Sequence, residues 1–170
     1  MAITLGPDGF TSDTADLNIN INNSTTVEQY TSTAKSNKRY RPAFGGYPNG
    51  GHGTGSVWSA YSTSFNSTNS GFNASTGRFT APLEGTYVFN MAGISHTPGT
   101  TSTDIRYSMM RNGNQNSAHC ITSNNGGNYS PVNNSVTWYL GVGDYVECYV
   151  YSGGQAHGGD WNHFSGYYVG

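Results

Sequence analysis

The sequence predicts an all-β domain built from two packed sheets, and three observations support this prediction. From Tyr40 onward, apolar residues recur at every second position, which is the period of a half-buried strand. Clusters of Gly, Asn, Pro or Ser separate these runs, as turns separate strands. No stretch of the sequence keeps a sustained helical period. The chain of 170 residues has room for one such domain with a real core.

Five runs alternate most clearly and predict the main strands. They cover residues 86–91, 105–109, 136–140, 146–150 and 164–169. Shorter runs at 41–44, 57–65, 78–79 and 118–122 raise the expected number to between eight and ten strands, which suits a two-sheet sandwich or jelly roll. The Asn- and Gly-rich stretches 45–55 and 112–133 are predicted to be long loops.

Residues 1–38 are predicted to form an extended N-terminal arm that precedes the domain at 39–170. This stretch is rich in Asn, Thr and Ser and buries too little apolar surface to order by itself. Its only alternating patch is Leu17, Ile19 and Ile21. This patch either adds a strand to a neighbouring sheet and so docks the arm, or packs as a strand on its own domain.

The charge and the hydropathy of the chain argue against nucleic acid and membrane partners. Seven basic and nine acidic residues give a net charge of -2, so there is no basic field to neutralise phosphates. The basic cluster at residues 35–41 is interpreted as a solvated linker. No apolar run is long enough to span a bilayer, and the N-terminal residues do not resemble a secretion signal.

The two cysteines, Cys120 and Cys148, are far apart and lack CxxC spacing. Cys148 alternates with Val146 and Val150, which predicts a buried free thiol. A Cys120–Cys148 disulfide is the alternative, because sequence alone does not give the distance between them.

A row of outward tyrosines indicates that more than one copy assembles. If Val146, Cys148 and Val150 face the core, the alternation of a strand turns the intervening tyrosines outward. Tyr139 and Tyr167 have the same parity on their own strands. We therefore expect a contiguous tyrosine-rich surface that a second copy covers. The predicted interface residues are Tyr139, Tyr145, Tyr149, Tyr151 and Tyr167.

Four ordered motifs resemble one family. Residues 72–89 read FNASTGRFTAPLEGTYVF, residues 109–113 read MMRNG, residues 140–146 read LGVGDYV, and the chain closes with FSGYYV at 164–169. This series resembles the globular heads of complement component 1q, within the tumour necrosis factor-like jelly rolls. The resemblance implies a ten-stranded jelly roll that assembles as a homotrimer around an aromatic axis. Similar jelly rolls occur as bacteriophage fibre tips and capsid decoration proteins.

The sequence predicts neither catalysis nor a bound cofactor. No nucleophile, base and orienting group, and no paired carboxylates, form a recognisable set. The loose trio His157, Asp160 and His163 lacks the spacing of a metal site. Some members of the resembling family bind calcium near the trimer apex, but Asp104 and Asp160 are too few for a strong oxygen cage.

We therefore expect a virion surface protein made in the host cytoplasm: a trimeric capsid decoration or head-fibre knob. Its arm would bind the major capsid protein or a fibre shaft. The first alternative is a receptor-binding fibre tip that recognises host glycans through loop residues Tyr129, Trp161 and His163. The second alternative is a soluble bacterial ligand or adhesin of the complement type.

Overall fold

The chain divides into two compact units, Met1–Tyr40 and Arg41–Gly170. The structure, a computed structural model, describes residues 41–67, 70–96, 104–123 and 128–170 of the second unit. In the first unit it describes the backbone of four short strands.

The first unit contains two antiparallel hairpins: β1 (Ile3–Gly6) pairs with β2 (Gly9–Ser12), and β3 (Gln29–Thr31) pairs with β4 (Ala34–Ser36). The role of residues 1–38 as an arm stays a prediction. Only two residues separate the strands of each pair, so each pairing closes a short, local loop. The docking patch Leu17, Ile19 and Ile21 lies outside the described residues, and its role stays a prediction.

The second unit is a sandwich of two sheets with strands that run antiparallel to their neighbours. In chain order its strands are β5 (Ala43–Pro48), β6 (His52–Gly53), β7 (Tyr61–Asn66), β8 (Phe72–Asn73), β9 (Arg78–Thr80), β10 (Gly85–His96), β11 (Ile105–Arg111), β12 (Asn114–Thr122), β13 (Tyr129–Leu140), β14 (Tyr145–Ser152), β15 (Gln155–Ala156) and β16 (His163–Tyr168). A 3-10 turn covers Gly159–Trp161.

Sheet I has seven strands and sheet II has five. In sheet I, β10 lies between β13 on one side and β16 and β15 on the other; β16 continues to β5 and β7, and β15 to β6. Sheet II has the order β12-β11-β14-β9-β8. The all-β, two-sheet jelly roll is therefore confirmed, and the two-residue strands β6 and β15 take the count above the expected ten. No helix among the described residues is long and apolar enough to cross a membrane.

The core between the sheets is mainly aromatic. Phe44 stacks on Phe72 with ring centroids 4.2 Å apart and meets Phe164 edge to face at 5.0 Å. Gly166 faces this core, and a β-carbon there would lie 2.7 Å from Phe44 and 2.6 Å from Phe89. The glycine of the closing FSG motif therefore makes room for two aromatic rings that a larger residue would displace.

Both predicted long loops contain strands, so those two loop predictions are wrong. The stretch 112–133 includes all of β12 and the start of β13. Strand β12 is an edge strand with polar residues at most positions, so it lacks the apolar alternation that reveals a strand. The stretch 45–55 includes most of β5, where the outward Gly45 lies beneath the ring of Phe65, 2.5 Å from where a β-carbon would stand.

Both cysteines are free thiols, so the predicted disulfide alternative is excluded and the predicted buried thiol at Cys148 is confirmed. Cys148 is fully buried in the core beside the hydroxyl of Tyr61. Burial raises the pKa of the Cys148 thiol and of the Tyr61 phenol well above their ordinary values. Both groups therefore stay protonated, and Cys148 lacks the thiolate character of a reactive cysteine.

The turn between β13 and β14 is held by the carboxylate of Asp144. Its Oδ2 accepts hydrogen bonds from the Arg111 guanidinium at 2.8 Å and from the backbone N–H of Gly141 at 3.0 Å. Its Oδ1 accepts one from the side-chain amide of Asn112 at 2.8 Å. This carboxylate therefore joins the β13–β14 turn to the β11–β12 turn, which explains the aspartate in the LGVGDYV motif.

Candidate functional site

The five tyrosines predicted to share one surface lie on two different sheets. Tyr145, Tyr149 and Tyr151 belong to β14 in sheet II, whereas Tyr139 and Tyr167 belong to β13 and β16 in sheet I. The two sheets pack core face to core face, so their outer faces point in opposite directions. The expectation of one contiguous patch is therefore wrong, and there are two separate surfaces. Their part in subunit contacts stays a prediction.

The strands that form the outer face of sheet I, called the sheet I face below, contribute no formal charge to it. All strands of sheet I are among the described residues, and none contains Asp, Glu, Lys or Arg. Register and alternation assign its main members to three rows across β13, β10, β16 and β5. These rows are Thr137, Val88, Tyr167 and Ala43; Ser135, Asn90, Ser165 and Gly45; and Asn133, Ala92, His163 and Tyr47.

Aromatic side chains stand out from the sheet I face. Tyr167 is 48% exposed at the centre of the sheet, between Val88 and Ala43. Phe65 is 51% exposed on the edge strand β7. Tyr139 is 60% exposed at one end, where its hydroxyl donates to the Glu84 carboxylate at 2.9 Å. With standard spacings, the five strands from β13 to β7 span about 20 Å across the sheet, and one strand is about 20 Å long. The face is therefore large enough for a protein contact.

The tyrosines of sheet II are instead engaged within their own subunit. The Arg78 guanidinium lies 4.0 Å from the centre of the Tyr145 ring, and its Nε lies 2.9 Å from Oε1 of Glu147. Tyr151 meets His119 edge to face at 5.0 Å. Sheet II also supplies an arginine to each of the three ion pairs found among the described residues: Arg78–Glu147, Arg106–Asp104 and Arg111–Asp144.

At one end of the sandwich four rings make the end cluster: His96, Tyr129, His157 and Trp161. Tyr129 stacks on His96 with centroids 5.1 Å apart and planes 21° apart. His157 lies 5.8 Å from both of these rings and 5.9 Å from the Trp161 ring. Tyr129 is 55% exposed and Trp161 is 61% exposed. The cluster therefore presents two large aromatic surfaces to solvent on a support of two imidazoles.

Three chain segments position the end cluster. His96 is the last residue of β10 and lies opposite Tyr129, the first residue of β13. His157 follows β15, and the 3-10 turn presents Trp161. The buried Asn162 joins these segments, because its Oδ1 accepts from the Ile94 N–H at 2.8 Å and its Nδ2 donates to the His157 carbonyl.

Two of the three predicted recognition residues thus come together. Tyr129 and Trp161 both contact His157, which the sequence analysis did not connect with them. His163 makes no ring contact with Tyr129 or Trp161 and lies opposite Ala92 on the sheet I face. Burial lowers the pKa of His163. Sequence reasoning also missed His96 and Asn162. The dense run of His, Gly, Asp, Trp and Asn at 157–163 was the available signal for this loop.

The described residues contain no group of three His, Cys, Asp or Glu side chains arranged to hold a metal ion. Of the trio His157, Asp160 and His163, the first has its Nδ1 2.9 Å from the Gly158 carbonyl oxygen. Because a carbonyl only accepts, this contact favours the tautomer with a proton on Nδ1.

The solved structures with a similar fold include the three that follow. The globular domain of zebrafish complement 1qA protein has a TM-score of 0.61 and 17% identity, with 76% of this chain and 98% of that chain covered. Murine APRIL has a TM-score of 0.58 and 12% identity, with 76% of this chain and 100% of that chain covered. Eiger TNF from S. frugiperda has a TM-score of 0.56 and 10% identity, with 76% of this chain and 93% of that chain covered. At these identities the likeness shows the fold alone.

A family match identifies the domain itself. The C1q domain matches residues 58–169, which is more than half of the chain. The match spans all four motifs of the sequence analysis, from the FNASTG hairpin to the closing strand β16. Gly166 and Asp144, whose contacts are described above, lie within it. This chain therefore belongs to the C1q family of jelly-roll domains.

Proposed function

We propose that this chain is a non-catalytic structural protein of a virus particle, a homotrimeric knob that decorates a capsid or ends a head fibre. Three jelly rolls meet through the sheet I face. Residues 1–38 attach the knob to the major capsid protein or to a fibre shaft. The protein is made in the host cytoplasm and functions on the virion surface.

The absence of charged residues from the strands of the sheet I face is the observation that carries this proposal. Interface cores are depleted of charged residues and enriched in tyrosine, phenylalanine and other aromatic residues. The strands of sheet I have no carboxylate, ammonium or guanidinium group. Covering these strands therefore avoids the free-energy cost of removing their ions from water. Sheet II lacks this property, because Arg78, Arg106, Arg111 and Glu147 all belong to its strands.

The family supports the assembly and the lack of catalysis. C1q and tumour necrosis factor-like domains typically form trimers and are generally non-catalytic. We therefore commit to further copies of this chain as the occupants of the sheet I face from Tyr139 to Asn133 along β13, which leaves the far end of this face, at His96 and Tyr129, uncovered. The interface tyrosines then become Tyr167 and Tyr139, and those of β14 lie on the opposite side.

The geometry of the chain ends suits a knob on a support. The chain enters the jelly roll at Arg41, and the next residue, Pro42, accepts a hydrogen bond from the Tyr168 N–H at 2.9 Å. The C-terminal Gly170 accepts one from Thr86 at 2.7 Å. The chain therefore enters the jelly roll at the end where the C-terminus lies. The end cluster is at the other end of β10, about 36 Å away for eleven residue steps.

Co-sedimentation tests the attachment. Capsids assembled from the major capsid protein encoded alongside this chain would be mixed with the full chain or with residues 39–170. We expect the full chain to sediment with the capsids and the shortened trimer to stay in solution. Equal sedimentation of both forms, or of neither, contradicts attachment through residues 1–38.

A second role is favoured by the end cluster. Two exposed aromatic rings lie at the end of the domain away from Arg41, which suits recognition of a host surface by the free end of a knob. In this role the chain is a receptor-binding tip for host glycans.

A further inference from the structure

The exposure of Tyr129 and Trp161 calls for a ligand-based explanation. Large aromatic side chains stabilise a fold by leaving water, yet more than half of each of these side chains stays exposed. Each ring nevertheless packs against the imidazole of His157, which restricts the positions that it can take. Exposed rings with restricted positions are typical of binding surfaces, where rigidity lowers the entropy lost on binding.

The support beneath the rings is built into the fold. Asn162 is fully buried, and its side-chain amide bonds to the backbone of β10 and to the carbonyl of His157. It lies directly beside Gly93, where a β-carbon would overlap its amide. A glycine in β10 and a buried asparagine thus lock the loop that carries Trp161 onto the strand that carries His96.

The polar groups around the rings suit sugar hydroxyls. Asp160 precedes Trp161, is exposed, and has no ion-pair partner among the described residues. Gln155 is exposed opposite His96. A pyranose presents C–H groups on its faces, which pack on aromatic rings, and hydroxyls around its edge, which donate to a carboxylate or an amide oxygen.

The arginines of the domain are either engaged with carboxylates or distant from the cluster. Of the arginines that the structure describes, Arg78, Arg106 and Arg111 are paired with carboxylates beside sheet II. Arg41 precedes β5 at the opposite end from the cluster. Sialylated, sulfated or uronic sugars would therefore meet the negative charge of Asp160, while the sheet II arginines already have carboxylate partners, and this arrangement disfavours anionic ligands.

We infer that the end cluster, together with Asp160, is a binding site for neutral pyranose sugars. Trp161 and Tyr129 receive the sugar faces, His157 and His96 hold the two rings in place, and Asp160 accepts hydroxyl hydrogen bonds. This inference deepens the second role above and is independent of attachment to a capsid. In a trimer three copies of the site sit on one particle, so binding to a dense glycan surface gains from avidity.

A glycan array followed by a titration tests the inference. The labelled full-length chain would be applied to neutral oligosaccharides of galactose, glucose, mannose and N-acetylglucosamine and to sialylated and sulfated versions of them. The affinity for the best neutral sugar would then be measured by NMR with the free oligosaccharide. We expect binding to neutral glycans, with a loss of at least about tenfold in Trp161→Ala and a smaller loss in Asp160→Asn.

Two controls separate the outcomes. Ile121→Ala removes a side chain that is 61% exposed on sheet II and is expected to leave sugar binding unchanged. Sedimentation of Trp161→Ala is expected to give the wild-type mass. No binding, binding of anionic glycans alone, or unchanged binding in Trp161→Ala overturns the inference. A changed mass in Trp161→Ala also overturns it, because the cluster is then a subunit contact. A sugar-binding failure with an intact trimer leaves the proposed assembly in place.

Discussion

The side-chain amide of Asn162 occupies the space beside Gly93 that a β-carbon would fill. From there its oxygen accepts a hydrogen bond from the N–H of Ile94, two residues before β10 ends at His96. This contact links the last residues of β10 to the loop before β16. It is one polar contact in an otherwise mainly apolar interior, and it fixes the loop that presents Trp161.

We predict that Asn162→Ala destabilises the domain by about 1–3 kcal/mol, because the half-buried Ile94 N–H and His157 carbonyl lose their partner. Denaturant unfolding measures this change. The matched control is Gln115→Ala, an exposed side-chain amide of β12 in sheet II, for which we expect little change. An equally small effect at both positions argues against the structural role of Asn162.

We predict that Gly166→Ala destabilises the fold by about 1–3 kcal/mol, since the added methyl group overpacks the core against Phe44 and Phe89. Thermal unfolding of the variant measures the loss. Gly53→Ala, at an exposed glycine where an added β-carbon meets nothing within 4 Å, serves as the control and should unfold close to the wild type. If Gly166→Ala unfolds with the control, the core packing described for the FSG motif is incorrect.

We predict that Asp144 contributes stability that acid removes. Hydrogen bonds from Asn112, Arg111 and the Gly141 N–H hold the pKa of Asp144 below its ordinary value. The stability gained is present above about pH 4 and is lost as the pH falls through the lowered folded value. Asp144→Asn should unfold more easily at pH 7 than the wild type and lose less stability between pH 5 and pH 2. An equal loss of stability between pH 5 and pH 2 in the wild type and in Asp144→Asn would contradict this role of Asp144.

We predict that mild acid weakens the domain through His52 and His163. Burial lowers the pKa of both imidazoles, so the folded state favours their neutral forms. Stability from this source is full above about pH 6.5 and falls as the pH drops through the lowered folded values. Urea unfolding between pH 7.5 and pH 5 should show this decline, and His163→Asn should reduce its slope. A pH-independent midpoint in the wild type is the opposing result.

The sequence was sufficient for the fold because its signals are local. Alternation at Tyr87, Phe89 and Met91 marks a half-buried strand, and the turn residues of the four motifs have fixed positions. The strand β12 was recognised only at its end, since an edge strand with mostly polar side chains has no apolar period. In β5 the glycines resemble a loop, although Gly45 is there to accommodate Phe65.

The candidate site was harder to predict because it depends on which sheet each strand joins. Alternation shows that Tyr149 and Tyr167 both point outward, but it does not show that β14 and β16 lie in opposite sheets. Trp161 and Tyr129 were recognised singly as exposed aromatic residues. Their shared contact with His157 follows from the meeting of β10, β13 and the loop after β15, which no sequence spacing reports.

Sedimentation equilibrium of the full chain and two variants tests the central claim, that three copies assemble through the sheet I face. We expect the wild type to have three times the chain mass of 18.2 kDa. Tyr167→Glu, which places a charge at the centre of the face, should give folded monomers, whereas Ile121→Glu on sheet II should stay trimeric. A monomeric wild type, or a trimer that Tyr149→Glu dissociates and Tyr167→Glu does not, would contradict the account.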